Sequence, residues 1–111
     1  MSNIQDVKSK STPITLSDGV ERELKFTLNA LAEMEDRYGS VDAAFKALDN
    51  GSIKAVRFVL WAGLMHTDEN LTERQVGNLI DTQCMAKIME QLNVAFVNDM
   101  PAKDNNGIVP N

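Results

Sequence analysis

The sequence predicts an α+β domain that is mostly helical, with an N-terminal β-hairpin followed by about five helices packed around a central apolar helix. Three observations carry this prediction. Between Pro13 and Leu28, apolar and polar residues alternate on either side of a Ser17-Asp18-Gly19 turn. From residue 29 onward, apolar residues recur at spacings of three and four, the period of a helix with one buried stripe. Residues 53–65 are apolar on nearly every side, which places that helix in the middle of the domain.

In the hairpin, Ile14 and Leu16 alternate with polar residues, and Val20, Leu24, Phe26 and Leu28 fall at even spacing on one face. Arg22 shares that parity near the turn. Two strands alone are marginal in water, so the hairpin must lean on helices. Asn29 is expected to cap a first helix that runs to Tyr38 and stops at Gly39, with Leu31, Met34 and Tyr38 as its stripe. Ser40 caps a second helix carrying Val41, Ala44, Phe45 and Leu48, and Asn50-Gly51 closes it.

Ser52 opens the central helix. Its inner face is Ile53, Val56, Val59, Leu60, Gly63 and Leu64, while Phe58, Trp61, Ala62 and Met65 cover much of the rest. Leu31, Val56, Leu60, Trp61 and Leu64 are the expected structural core, with Trp61 substantially buried. Gly63 marks a close approach by a neighbouring helix. Further on, Thr72 and Gln75 match a capping box, and Leu71 with Val76 a hydrophobic staple. That helix would take Val76, Leu79 and Ile80 as its inner stripe. Gly77 also lies within it and again suggests close helix packing. A last helix is expected from Thr82 to Asn98, with the stripe Met85, Ile88, Met89, Leu92, Ala95 and Phe96. Residues 1–12 read as a flexible leader, 13–100 as a single folded domain, and 101–111 as a disordered tail rich in turn formers.

Composition narrows the function. Sixteen acids outnumber eleven Lys and Arg, for a net charge of −5. A duplex-DNA binder needs a clustered basic face, so a nucleic-acid partner is disfavoured. Residues 71–98 could pass for a helix-turn-helix, but Arg74 and Lys87 are their only basic residues, too few to grip phosphate. The same charge argues against an anionic membrane surface. The longest apolar run, 58–65, falls far short of the roughly 20 residues a membrane span needs. The first residues lack the apolar core of a signal peptide, and a lone Cys84 precludes an intrachain disulfide. The cytoplasm is the expected compartment.

Signs of catalytic chemistry are sparse. His66 is the sole histidine, and with Asp68 and Glu69 it lacks the spacing of a zinc site. Cys84 has no CxxC partner and reads as a packing residue. The six glycines are scattered singly, with no phosphate-cradling loop. Glu33, Glu35 and Asp36 sit beside Arg37 on a solvated helix face. The expectation is a protein without enzymatic activity, metal or cofactor. Methionines are mildly over-represented. Met85 and Met89, one turn apart, together with Phe96, are the candidate partner-binding residues, because thioether side chains repack around varied partners.

Three segments, taken in order, carry a resemblance. They are Phe26-Thr27-Leu28-Asn29-Ala30-Leu31 with Glu35, then Leu60-Trp61-Ala62-Gly63-Leu64, then Leu71-Thr72 with Val76-Gly77. In this order, after a short strand pair, the chain resembles the tail assembly chaperones of siphophages and related gene-transfer particles. The resemblance spans about residues 13–98. It implies a holdase-like protein that binds the tape measure protein, helps the tail tube protein polymerise around it in the host cytoplasm, and leaves before the virion is finished. Many such chaperones exist in two forms through ribosomal frameshifting, and this chain resembles the short form. The resemblance brings no catalytic or ligand residues. The alternatives are a small structural tail component, or a generic helical regulatory or interaction protein, the latter disfavoured by the charge; self-association is allowed.

Overall fold

An alternating strand buries every second side chain, and the first strand does so from its first residue. A computed structural model describes residues 12–99, in which β1 (Thr12–Thr15) pairs antiparallel with β2 (Glu21–Leu24). The register sets Thr12 opposite Leu24 and Ile14 opposite Arg22. Thr12, Ile14 and Leu16 face inward, whereas Pro13 and Thr15 face water. Thr12, expected in the leader, belongs to the strand. The remaining leader and the tail expected at 101–111 lie outside the described residues. Helix makes up 62% and strand 9% of the described residues, which establishes the α+β, mostly helical class.

The turn joining the strands is fixed by its own side chains. Gly19 takes a positive φ of 78°. Asp18 Oδ1 accepts the Val20 N–H at 3.1 Å, and its two oxygens hold the Arg22 guanidinium at 3.0 and 2.9 Å. Of the apolar face expected on the second strand, Leu24 and Phe26 are buried, but Val20 is 49% and Leu28 82% exposed. Val20 still belongs to the turn. Leu28 is already the first residue of α1 (Leu28–Tyr38), where the chain has changed direction.

That early start is set by Thr27 rather than Asn29. The Thr27 side chain accepts the Ala30 N–H at 3.2 Å from an extended backbone, which is how an N-cap works. Gly39, at φ 92°, ends α1 as expected. Ser40 then caps α2 (Val41–Asp49), whose Ala44, Phe45 and Leu48 are buried. Ser52 caps α3 (Ile53–Leu64) through the Ala55 N–H at 3.1 Å.

α3 is the centre of the molecule. It packs against β2, α1, α2 and the two helices that follow it. Val56, Phe58, Val59, Leu60, Ala62 and Leu64 are all buried along it. Gly63 meets the strand side rather than another helix. A Cβ there would lie 2.8 Å from Leu24 Cδ2, and the Gly63 carbonyl accepts the Lys25 N–H at 2.9 Å. Two core expectations need correction. Leu31 and Trp61 are half-buried and pack against the core from its edge, while Val56, Leu60 and Leu64 lie inside it. The inner positions of α1 are Ala30 and Met34, which leaves Leu31 on its flank. Trp61 stays at the edge because its indole N–H needs an acceptor, which it finds at the Leu71 carbonyl, 2.8 Å away.

The capping box forms as read. Gln75 N–H donates to Thr72 Oγ1 at 3.1 Å, and Thr72 N–H donates to Gln75 Oε1 at 2.8 Å. The helix it starts is short, α4 (Glu73–Gly77), so Leu79 and Ile80 fall beyond it. Gly77 and Asn78 are weak helix formers. The Leu79 carbonyl instead accepts the Ser17 N–H of the hairpin turn at 2.8 Å. Leu79 and Ile80 nonetheless pack on the core. Asp81 caps a 3₁₀ turn, Thr82–Cys84, which leads into α5 (Met85–Asp99). On α5, Ile88, Leu92 and Ala95 are buried, and Phe96 completes an aromatic group with Phe45 and Phe26. α5 also packs on β1, and Asn98 Nδ2 lies 3.4 Å from Thr12 Oγ1. The first and last described turns of chain are therefore neighbours.

Candidate partner-binding surface

A groove forms where the first turns of α3 face the end of α4 and the start of α5. Its volume is about 360 Å³. Ile53, Val56, Ile80 and Met85 supply its apolar wall, and Arg57 and Arg74 its cationic rim. Each part follows from the local fold. Ile53 is the first residue of α3 and stands before the point where neighbouring helices close over it, so it is 71% exposed rather than on the inner face. Ile80 is placed by the early end of α4, and Met85 by the 3₁₀ turn that Asp81 caps.

Arg57 is held in position from two sides. Its Nε lies 3.9 Å from Glu73 Oε1. Its aliphatic stem crosses Gly77, where a Cβ would come within 3.1 Å of Arg57 Cδ. Glu73 also binds Arg37 of α1, whose guanidinium sits 4.3 Å over the buried Phe58 ring. One carboxylate on α4 thus ties that short helix to both α1 and α3. Arg74 is exposed and, among the described residues, forms no ion pair. The groove contains one carboxylate, Asp81, whose Oδ1 is engaged by the N–H groups of Gln83 and Cys84 at 3.0 and 3.2 Å.

The three candidate binding residues do not form one surface. Met85 lines the groove. Met89, one turn on, is half-buried against the core. Phe96 lies near the other end of α5, about 16 Å from Met85 at the helical rise. Its ring stacks on Phe45 with centroids 3.9 Å apart and packs edge-on to Phe26, so core packing accounts for it. The sequence reading missed the groove because its main parts come from separate elements. Ile53 has the spacing of a core residue, and nothing local shows that its helix begins ahead of its neighbours.

The residues weighed for chemistry have structural positions. His66 Nε2 lies 2.9 Å from the Glu23 carbonyl oxygen, which can only accept, so Nε2 carries the proton and clasps the end of α3 to β2. The Cys84 thiol is half-buried, and its pKa is raised above the ordinary value, first by the hydrogen bond with the Asp81 side chain and then by desolvation. That shift disfavours the nucleophilic thiolate. Among the described residues, no cluster of three or more His, Cys, Asp or Glu is arranged to hold a metal ion. Nor is any described helix long and apolar enough to cross a membrane.

Comparison with known proteins returns no matching family model, no matching curated protein and no matching solved structure.

Proposed function

We propose that this chain is a tail assembly chaperone of the short form, a non-enzymatic protein that binds the tape measure protein in the host cytoplasm and assists polymerisation of the tail tube protein. The observation that carries the reading is the order of the three segments beginning at Phe26, Leu60 and Leu71. Their contacts support treating them as one unit. Gly63 of the second segment fits against Phe26 of the first, and Trp61 of the second binds the carbonyl of Leu71 in the third. Residues that determine packing are what a shared fold, rather than a shared catalytic step, would retain. The binding itself is apolar, with Met85 at the groove as its centre.

Co-expression with a tape measure protein from the same genome is the direct test. The expected outcome is a tape measure protein that stays soluble and co-purifies with the chain. Equal precipitation with and without the chain would remove the chaperone reading. Recovery of the chain in stoichiometric amounts from finished particles would favour a structural tail component instead.

A further inference from the structure

We propose that the outer edge of β1, with the cleft between it and α5, is a docking site for an extended segment of another protein, which adds a third strand to the sheet. The directions of the backbone groups lead to this edge. Partners in an antiparallel pair alternate between exchanging two hydrogen bonds and exchanging none. The Glu23 carbonyl accepts from His66 Nε2, and the Lys25 N–H donates to the Gly63 carbonyl. Glu23 and Lys25 therefore turn their backbone groups to the end of α3 and away from β1. It follows that Pro13, opposite Glu23, and Thr15, opposite Glu21, turn theirs to the other edge. Ser17 has the same parity, and its N–H leaves the hairpin for the Leu79 carbonyl at 2.8 Å. Thus α3 closes the β2 edge, whereas the β1 edge is taken up only at Ser17. Among the described residues the sheet has two strands, and the Thr15 N–H and the Thr15 and Pro13 carbonyls have no hydrogen-bond partner.

A chain laid along this stretch continues the row that Leu79 begins, accepting from the Thr15 N–H and donating to both carbonyls. Beside it lies a cleft of about 440 Å³. Ile14, Ile88 and the half-buried Cys84 form its apolar side, and Lys87 and Gln91 its polar side. Every second side chain of an added strand points to one face, so an aliphatic one enters this cleft. A helical occupant cannot use the edge, because its own backbone groups are already paired. A second copy of this chain fits it poorly. In the twofold pairing that sets Pro13 opposite Thr15 of the other copy, Pro13 has no N–H to give, so each Thr15 carbonyl lacks its donor. A different segment without proline at that point supplies every donor. This site is separate from the Met85 groove and does not depend on the role proposed above.

The test uses the full chain, isotope-labelled, titrated with a short capped peptide of alternating valine and threonine. Saturable shifts are expected at the amides of residues 14–16, 84, 88 and 91. Exchange of the Thr15 amide should slow about tenfold or more once its N–H is paired. The same peptide N-methylated at every amide can accept but not donate, and should bind about tenfold more weakly or worse. Thr15→Pro removes the N–H that this stretch offers, at an edge position where proline is tolerated. It should weaken the unmethylated peptide about fivefold, as the loss of one hydrogen bond does, and leave the unfolding midpoint nearly unchanged. Should that variant fail to fold, the comparison of the two peptides on the unaltered chain still decides. Absence of saturable shifts, shifts that fall outside β1 and α5, equal binding of the N-methylated peptide, or a Thr15 amide that does not slow would each overturn the proposal. A Thr15 amide already protected in the free monomer would overturn it by assigning the edge to the chain's own residues. A concentration-dependent dimer abolished by Thr15→Pro would do so by assigning the edge to a second copy.

Discussion

At Gly63 a single methyl group changes the packing of the molecule. A Cβ there would stand 2.8 Å from Leu24 Cδ2 and 3.1 Å from Phe26 Cε1, and both side chains are buried, so neither can swing into water. Overpacking of this kind costs about 1–3 kcal/mol, while alanine's preference for helix returns up to about 1 kcal/mol. Gly63→Ala should therefore lower stability by about 1–2 kcal/mol, read as a lower urea midpoint at unchanged slope. A raised midpoint would mean that the hairpin is not seated on α3 at this residue. Asp18 makes a different statement, about pH. The Arg22 guanidinium, and after it the Val20 N–H, hold its carboxyl down to about 2, from an ordinary 3.8. A lowered folded pKa means that protonation favours the unfolded chain. The stabilisation is thus present above the ordinary value and is lost as pH falls from about 4 towards 2. Because the pair is exposed, the effect is small. Asp18→Asn should flatten this part of the acid unfolding curve and leave the neutral range nearly unchanged. An identical acid limb in the variant would show that the turn pair does not form.

Among the elements, α4 depends most on its ends. It has five residues, too few to form alone, so its cap and the Glu73 bridges to Arg37 and Arg57 must hold it. Thr72→Ala removes the hydroxyl half of the capping box and should cost about 1 kcal/mol. Faster amide exchange at residues 74–77 under native conditions would locate the loss there, whereas exchange unchanged at those amides would exclude a role for the box. How well each element could be read from sequence depended on where its determining contacts lay. The Gly39 stop, the Ser40 and Ser52 caps and the Thr72–Gln75 box are local, and the structure contains each of them. The start of α1 at Thr27 and the early end of α4 were misplaced. Thr27 competes with Asn29 as a cap on equal chemical terms, and α4 ends where the Leu79 carbonyl turns to Ser17, far away in sequence. Exposure of Ile53 and half-burial of Trp61 depend on which neighbours reach them, and residue spacing carries no record of that. The candidate surface was legible only in Met85. Arg57 and Arg74 gain meaning only when two helices bring them to one rim.

For the molecule as a whole, α3 sets the order in which parts come loose. Every other helix, and β2, packs on it, and its buried residues run through both faces. Its inner amides should exchange only through global unfolding, while α4 and the turn after it open at lower cost. Hydrogen exchange followed by mass spectrometry checks this, and early exchange across 56–62 would displace α3 from the centre. The contact between Thr12 and Asn98 has a consequence for topology. A chain in which residues at the two ends of its described span touch is already nearly a ring, and the ring's break point is arbitrary. A short linker from Asn98 to Thr12 would span little distance and close at modest entropic cost. The new ends could be opened at the exposed Asn50-Gly51 corner between α2 and α3, so that no strand or helix is cut. The beginning of such a permuted chain would be the central helix itself, synthesised first, with the hairpin and then α1 and α2 added onto a surface already in place.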